Sequence, residues 1–222
     1  MASRFATHGC VMTTAILLAA ATMTIAAPPP DAGWRAYQKH DYPAALVEFE
    51  KRARDGDRVA QFNLAMMLLG GEAGATDVSG GLVWLQRSAD AGLAQAQYNL
   101  GLLYENGVGV ARSLTNATLW WSKAAEQGHA DAQVQLATQY FLGRGAPKDW
   151  KLAAKWYEAA AQSGDPGAQY IIGSFYEHGD GVAKDLNKAL AWYVEAARQG
   201  DAGAAAQAKD VARRLSAAPR AP

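Results

Sequence analysis

Ala96-Gln97-Tyr98-Asn99-Leu100-Gly101-Leu102-Leu103-Tyr104-Glu105-Asn106-Gly107-Val108-Gly109-Val110 decides the fold, because its apolar residues keep helical spacing and the run ends in glycine. Ala96, Leu100, Leu103 and Tyr104 share one face of a helix and do not alternate as a strand would. The spacing predicts a helix from Gln95 to Asn106 that stops at Gly107, where a residue without Cβ can turn left-handed and close the last turn. Beyond the loop, Leu114, Ala117, Trp121, Ala124 and Ala125 mark a second helix, starting after Ser113 and ending at Gly128.

The same pattern recurs along the chain. Ala-Gln stands at Ala60-Gln61, Ala96-Gln97, Ala132-Gln133 and Ala168-Gln169, so each step (96 − 60, 132 − 96, 168 − 132) is 36 residues. Trp84, Trp120, Trp156 and Trp192 keep the step, as do Gly71, Gly107, Gly143 and Gly179, and Gly92, Gly128, Gly164 and Gly200. Asp77, Ser113, Asp149 and Asp185 all precede a second helix, and their side-chain oxygens suit the free amides of a first turn. Asp165-Pro166 opens a first helix in the same way, with proline where the helix tolerates it.

These residues, with Ala117, Trp120, Trp121, Lys123, Ala124, Ala125 and Gly128, resemble a Sel-1-like repeat, a relative of the tetratricopeptide repeat. The resemblance covers residues 58–92, 94–128, 130–164 and 166–200. The first of these units departs most, with Gly70-Gly71-Glu72-Ala73-Gly74 in its loop and Leu85 for the second aromatic. The expected fold is all-α, a right-handed α/α solenoid of helix-turn-helix units with a 36-residue period. Residues 27–57 read as a linker and a degenerate first unit, because Ala45, Phe49, Ala53 and Gly56 keep the phase of Gly81, Leu85, Ala89 and Gly92. Residues 202–216 read as a C-terminal capping helix, with Arg213 and Arg214 near the end that favours cations, and 217–222 as a tail. The once-per-unit tryptophans are expected to fill the space between layers of this array. Replacing Trp156 with alanine should cost about 3–5 kcal/mol if it is fully buried.

The N-terminus has a different character. Arg4 and His8 precede the apolar run from Val11 to Ala21, and small residues follow to Ala26 and Ala27 before Pro28-Pro29-Pro30. This is the pattern of a secretory signal peptide over residues 1–26, cut after Ala26. The run is short for a bilayer core, which needs about 20 apolar residues, and is diluted by Thr13, Thr14, Thr22 and Thr24, so no stable membrane span is expected after processing. The mature protein would be periplasmic or secreted, in a bacterium. Cys10 would leave with the signal, removing the only thiol.

Catalytic and metal patterns are missing from the text. His8, His40, His129 and His178 are scattered with no ligand spacing, and His129 and His178 read as ordinary surface positions. The Gly-x-Gly pairs follow helices, not strands, and are read as turns and not as phosphate loops. Some secreted, cysteine-rich relatives are described as β-lactamase-like, but this chain has no Ser-x-x-Lys. Asn116-Ala117-Thr118 is a formal glycosylation sequon at a helix start, taken as a chance match. Lys+Arg and Asp+Glu balance at 21 each with no long block of one sign, so nucleic acid is not an expected partner. The chain is expected to be no enzyme, to hold no cofactor or metal, and to bind a protein or peptide.

By resemblance to the tetratricopeptide relatives, the partner lies in a concave groove lined by the first helices. The expected contacts are Phe62, Met66 and Leu69; Tyr98, Leu102 and Glu105; Val134, Thr138 and Phe141; and Tyr170, Ser174 and Glu177. The stripe reads as apolar and aromatic at the N-terminal end and more polar towards the C-terminal end, with Phe62, Tyr98 and Tyr170 as anchors. Two other readings remain open: a carbohydrate or peptidoglycan binder that stacks sugars on its Trp and Tyr rings, and an envelope enzyme of the β-lactamase-like kind.

Overall fold

The computed structural model describes residues 32–72 and 74–217. The expected signal segment, Cys10 and residues 218–222 lie outside the described residues. Among the described residues there are helices and turns and no strand. The helices are α1 (Ala32–Gln38), α2 (Tyr42–Arg54), α3 (Arg58–Gly70), α4 (Val78–Asp90), α5 (Ala94–Asn106) and α6 (Leu114–Glu126). They continue with α7 (Ala130–Leu142), α8 (Trp150–Gln162), α9 (Pro166–His178), α10 (Leu186–Arg198) and α11 (Ala202–Ala217). Each helix packs chiefly on its neighbours in sequence, so the chain is an α/α solenoid whose apolar core passes from unit to unit.

Local chemistry sets the boundaries. Asp41, Asp77, Ser113, Asp149 and Asp185 each accept first-turn amides at the start of the second helices. Asp57 and Asp165 do so for first helices and Asp201 for α11, whereas Leu93 offers no side-chain cap to α5. The first helices end at Gly71, Gly107, Gly143 and Gly179, all left-handed. The second helices end two residues earlier than their closing glycine, at Glu126 in the case of Gly128, because the intervening residue takes the cap position.

The second glycine of each loop has a reason of its own. Gly145 has φ +68°, and a Cβ there would fall 2.6 Å from Thr118 Oγ1 and closer still to the Leu114 carbonyl of the preceding unit. Gly109 and Gly181 press the same way on Val78 and Leu82 of α4 and on the start of α8. The Gly-x-Gly pair therefore combines a helix stop with a close approach between units.

The glutamine of each Ala-Gln pair joins the units. Gln61, Gln97, Gln133 and Gln169 are buried, and their Nε2 atoms donate to Ala53, Ala89, Ala125 and Ala161 O at 3.1, 3.0, 3.3 and 3.2 Å. Each acceptor lies in the last turn of the preceding unit's second helix, where a carbonyl lacks an α-helical partner, and each also accepts the amide of the closing glycine, Gly56, Gly92, Gly128 or Gly164.

The once-per-unit tryptophans pack between units, with Trp84 and Trp156 each touching two adjoining core clusters, but theirs is not the deepest phase. Trp120 is buried, but Trp84, Trp156 and Trp192 are only half-buried. The deepest phase is one residue on: Leu85, Trp121, Tyr157 and Tyr193 are all buried, with Trp121 at 0 % exposure. Cations lie over the outer rings instead, Arg87 over Trp84 at 4.6 Å, Lys123 over Trp120 at 3.8 Å and Lys155 over Trp156 at 4.7 Å.

Candidate functional site

The residues expected to meet a partner lie on α3, α5, α7 and α9, and the structure divides them into core, latch and surface. Phe62 is 2 % exposed and packs with Ala65, Leu85, Leu100 and Trp120. It belongs to the core and is not an anchor, because the next unit covers its ring. Met66 and Leu69 are half-buried against the same cluster.

Glu177 also moves out of the site. It is buried, accepts the Tyr193 hydroxyl at 2.8 Å, and pairs with the Arg214 guanidinium, which reaches on to Asp210. This carboxylate therefore ties α9 and α10 to the capping helix α11, whose Ala204, Ala208 and Val211 join the core. Thr138 donates to Val134 O at 2.8 Å and bonds the Tyr157 hydroxyl at 2.9 Å, so its polar group is spent inward. Val134 packs on the C-terminal core. With Thr138 and Glu177 engaged internally, the C-terminal end is less polar than the sequence suggests.

Two groups of the expected residues remain partly open. On α5, Tyr98, Leu102 and Glu105 are half-buried and follow one another at helical spacing. The Tyr98 ring stacks on His129 at 4.7 Å between centroids. Burial first, then the Asp131 and Glu105 carboxylates, push the Tyr98 hydroxyl up to about 12, so it stays a donor at neutral pH. Burial raises the Glu105 carboxyl, with Arg112 and Arg144 opposing.

The second group spans α7 to α9. Phe141, Tyr170 and Ser174 come together with Tyr157, Ile171 and Phe175 around a cleft of about 170 Å³. Phe141 meets Trp150 edge-on at 4.9 Å, and Phe175 lies 5.9 Å from Phe141 and 5.7 Å from Tyr157. Tyr157, Ile171 and Phe175 were not legible as site residues, because their phase reads as core. The only signal was the density of aromatics in the last two units.

His129 is not an ordinary surface residue. It is half-buried, its Nδ1 accepts the Ala132 amide at 3.3 Å at the start of α7, and its Nε2 lies 3.0 Å from Gln95 Oε1. Burial lowers its basicity, with Asp131 opposing.

Elsewhere, Val47, Val83 and Leu119 occupy one repeat phase on α2, α4 and α6 and are 65, 52 and 53 % exposed. At Val83 a wide depression of about 360 Å³ is lined also by Leu82, Gln86, Arg87, Leu100 and Val110. Among the described residues no group of three or more His, Cys, Asp or Glu side chains could hold a metal ion, and no helix is long and apolar enough to cross a membrane.

Comparison with known proteins agrees with this geometry. The Sel1 repeat model matches residues 58–93, 94–129, 130–165 and 166–201. The crystal structure of a Sel1 repeat protein from Oxalobacter formigenes aligns with a TM-score of 0.77 at 33 % identity, over 86 % of this chain and 79 % of that one. A protective antigen present in uropathogenic Escherichia coli strains, displaying an SLR fold, aligns with a TM-score of 0.67 at 34 % identity, over 72 % of this chain and 34 % of that one. This chain thus spans about a third of that antigen's length. No match is found among curated proteins. With four matched repeats and a 36-residue step in both sequence and structure, the chain belongs to the Sel1 repeat family.

Proposed function

We propose that this chain is an exported scaffold that binds a protein or peptide along the first-helix face of its solenoid. Sel1 repeat proteins are helical repeat scaffolds that typically mediate protein–protein interaction, and the finer assignment rests on the surface of this chain. The observation that carries it is the pair of partly open groups on successive first helices, Tyr98, Leu102 and Glu105 on α5, and Phe141, Tyr170 and Ser174 on α7 and α9. Rings beside a few polar groups on a rigid array suit the anchoring of a partner's side chains. The signal-like segment before Ala27 supports a periplasmic or extracellular setting, and the balanced charge argues against nucleic acid. A role in envelope regulation or signalling is consistent with that setting.

The test is affinity capture from envelope extract with the mature protein as bait and a Tyr98→Ala/Tyr170→Ala variant as control. Phe62 stays intact, because its loss would damage the core. A protein retained by the unaltered bait and lost from the variant, with circular dichroism unchanged, supports the reading. Equal retention on both baits places the interaction elsewhere, with the exposed Val47, Val83 and Leu119 row the next surface to alter.

A further inference from the structure

We infer that the cleft between α7, α8 and α9 is a pocket for one bulky apolar side chain carried on an acidic segment of the partner, with Lys148 reading the carboxylate. This inference rests on the scaffold reading above and names the partner's chemistry at one end of the site.

Size and lining set the apolar half. The cleft holds about 170 Å³ and is walled by Phe141, Tyr157, Tyr170, Ile171, Ser174 and Phe175. An apolar cavity of about 150 Å³ accommodates a benzene ring, so one aromatic ring or branched aliphatic group fits, and two do not. Two of the lining hydroxyls are already engaged. Tyr157 bonds Thr138, and Ser174 lies beside His178 at 3.4 Å. The lining thus offers an entering side chain aromatic rings and no charged group. Phe141, Phe175 and Trp150 brace one another with centroid distances of 4.9 to 5.9 Å, so the walls are set before a ligand arrives.

Charge sets the other half. The Lys148 ammonium lies 4.6 Å from the Trp150 ring centre and 5.9 Å from that of Phe141, a cleft wall. Among the described residues it pairs with no carboxylate. The acidic group on the neighbouring first helix, Glu177, is buried and already paired with Arg214. A cation held beside an apolar pocket with no acid of its own favours a segment whose carboxylate sits next to its apolar side chain.

The probes are three capped pentapeptides, Gly-Asp-Phe-Asp-Gly, Gly-Lys-Phe-Lys-Gly and Gly-Asp-Gly-Asp-Gly, titrated into ¹⁵N-labelled mature protein. The first should shift the Ile171 and Ser174 amides and the Trp150 indole signal in a saturable way. The lysine peptide should bind about five-fold more weakly, the scale of one exposed ion pair, and the glycine peptide should leave these signals in place. Lys148→Glu should reverse the order of the first two peptides. Ser174→Trp, which fills the cleft from a half-exposed position, should abolish the shifts while the remaining spectrum stays folded. Equal binding of the acidic and basic peptides, or shifts unaffected by Ser174→Trp, overturns the proposal. Saturable shifts confined to Tyr98 and Leu102 also overturn it, but leave the scaffold reading intact. Failure of that broader reading would appear separately, as equal capture by both baits.

Discussion

Gln127 Nε2 donates to Gln97 Oε1 at 2.7 Å, across 30 residues and from one unit's closing cap to the same unit's first helix. Gln97 Nε2 in turn donates to Ala89 O of the unit before, so one buried amide is satisfied at both ends. Gln199 and Gln169 repeat the arrangement at 2.9 Å. At the two equivalent places the cap residue is Ala91 or Ser163, and there Gln61 Oε1 and Gln133 Oε1 have no hydrogen-bond partner among the described residues.

Ser163→Gln should therefore stabilise the protein. Ser163 has φ −76° and ψ −1°, close to the −86° and 2° of Gln127, so the backbone already suits the longer side chain. Supplying the missing donor is worth about 0.5–1.5 kcal/mol. Gln127→Ala should do the reverse, leaving Gln97 Oε1 buried and unpaired, at a cost of about 1–3 kcal/mol. Urea unfolding midpoints of both variants check this, and a Ser163→Gln midpoint at or below wild type would sink the first claim.

Gly145→Ala and Gly128→Ala separate two demands on glycine. Both positions are left-handed, at φ +68° and +85°, but a Cβ at Gly128 meets nothing within 4 Å whereas one at Gly145 meets the Leu114 backbone. Gly128→Ala should cost about 1–2 kcal/mol from backbone conformation alone. Gly145→Ala should lower the thermal midpoint further, since the preceding unit must also move. Equal losses would mean that the close approach relaxes without penalty.

The repeat, its helix ends and its caps were legible because each rests on local spacing and the text states it four times. The proposed partner face was less so. A first-helix position points outward in every unit, but whether it stays open depends on what the next unit places over it. Phe62 and Tyr98 share a phase, and only Phe62 is sealed, by Leu100 and Trp120. Glu177 and Glu105 share another, and only Glu177 finds an arginine from α11. The glutamine staple was visible as a repeat, but its partner eight residues upstream belongs to the preceding unit, a pairing that helical periodicity does not reveal.

Trp121→Ala should cost about 3–5 kcal/mol, the scale of a fully buried aromatic. Its ring is 0 % exposed, its Nε1 donates to Tyr98 O at 3.3 Å, and it packs against Gly101. Trp156→Ala should cost less than Trp121→Ala, because that ring is half-buried and topped by Lys155. Denaturant titration of the two variants fixes the order. A larger loss for Trp156 would contradict the burial pattern.

Stability should also fall more steeply with acid than the same fold would with an uncharged cap at position 129. Burial lowers the His129 pKa, with Asp131 opposing, so the folded state prefers the neutral ring, whose Nδ1 accepts the Ala132 amide. The unfolded ring takes a proton near its ordinary value of about 6.5. Below that value the unfolded state binds more protons than the folded one, so the contribution is complete above pH 6.5 and is lost as pH falls towards the depressed folded value. Protonation also removes the cap acceptor and sets a positive charge at a helix N-terminus, where the dipole disfavours it. His129→Asn keeps a side-chain acceptor that does not titrate, so its stability should drop less between pH 7.5 and pH 5, by about 1 kcal/mol, the typical worth of one cap. Urea unfolding of both proteins at the two pH values measures the difference. Parallel losses would mean that the cap at His129 survives protonation, and a Tyr98 ring signal that moves with the His129 titration would show that acid also reaches the proposed partner face.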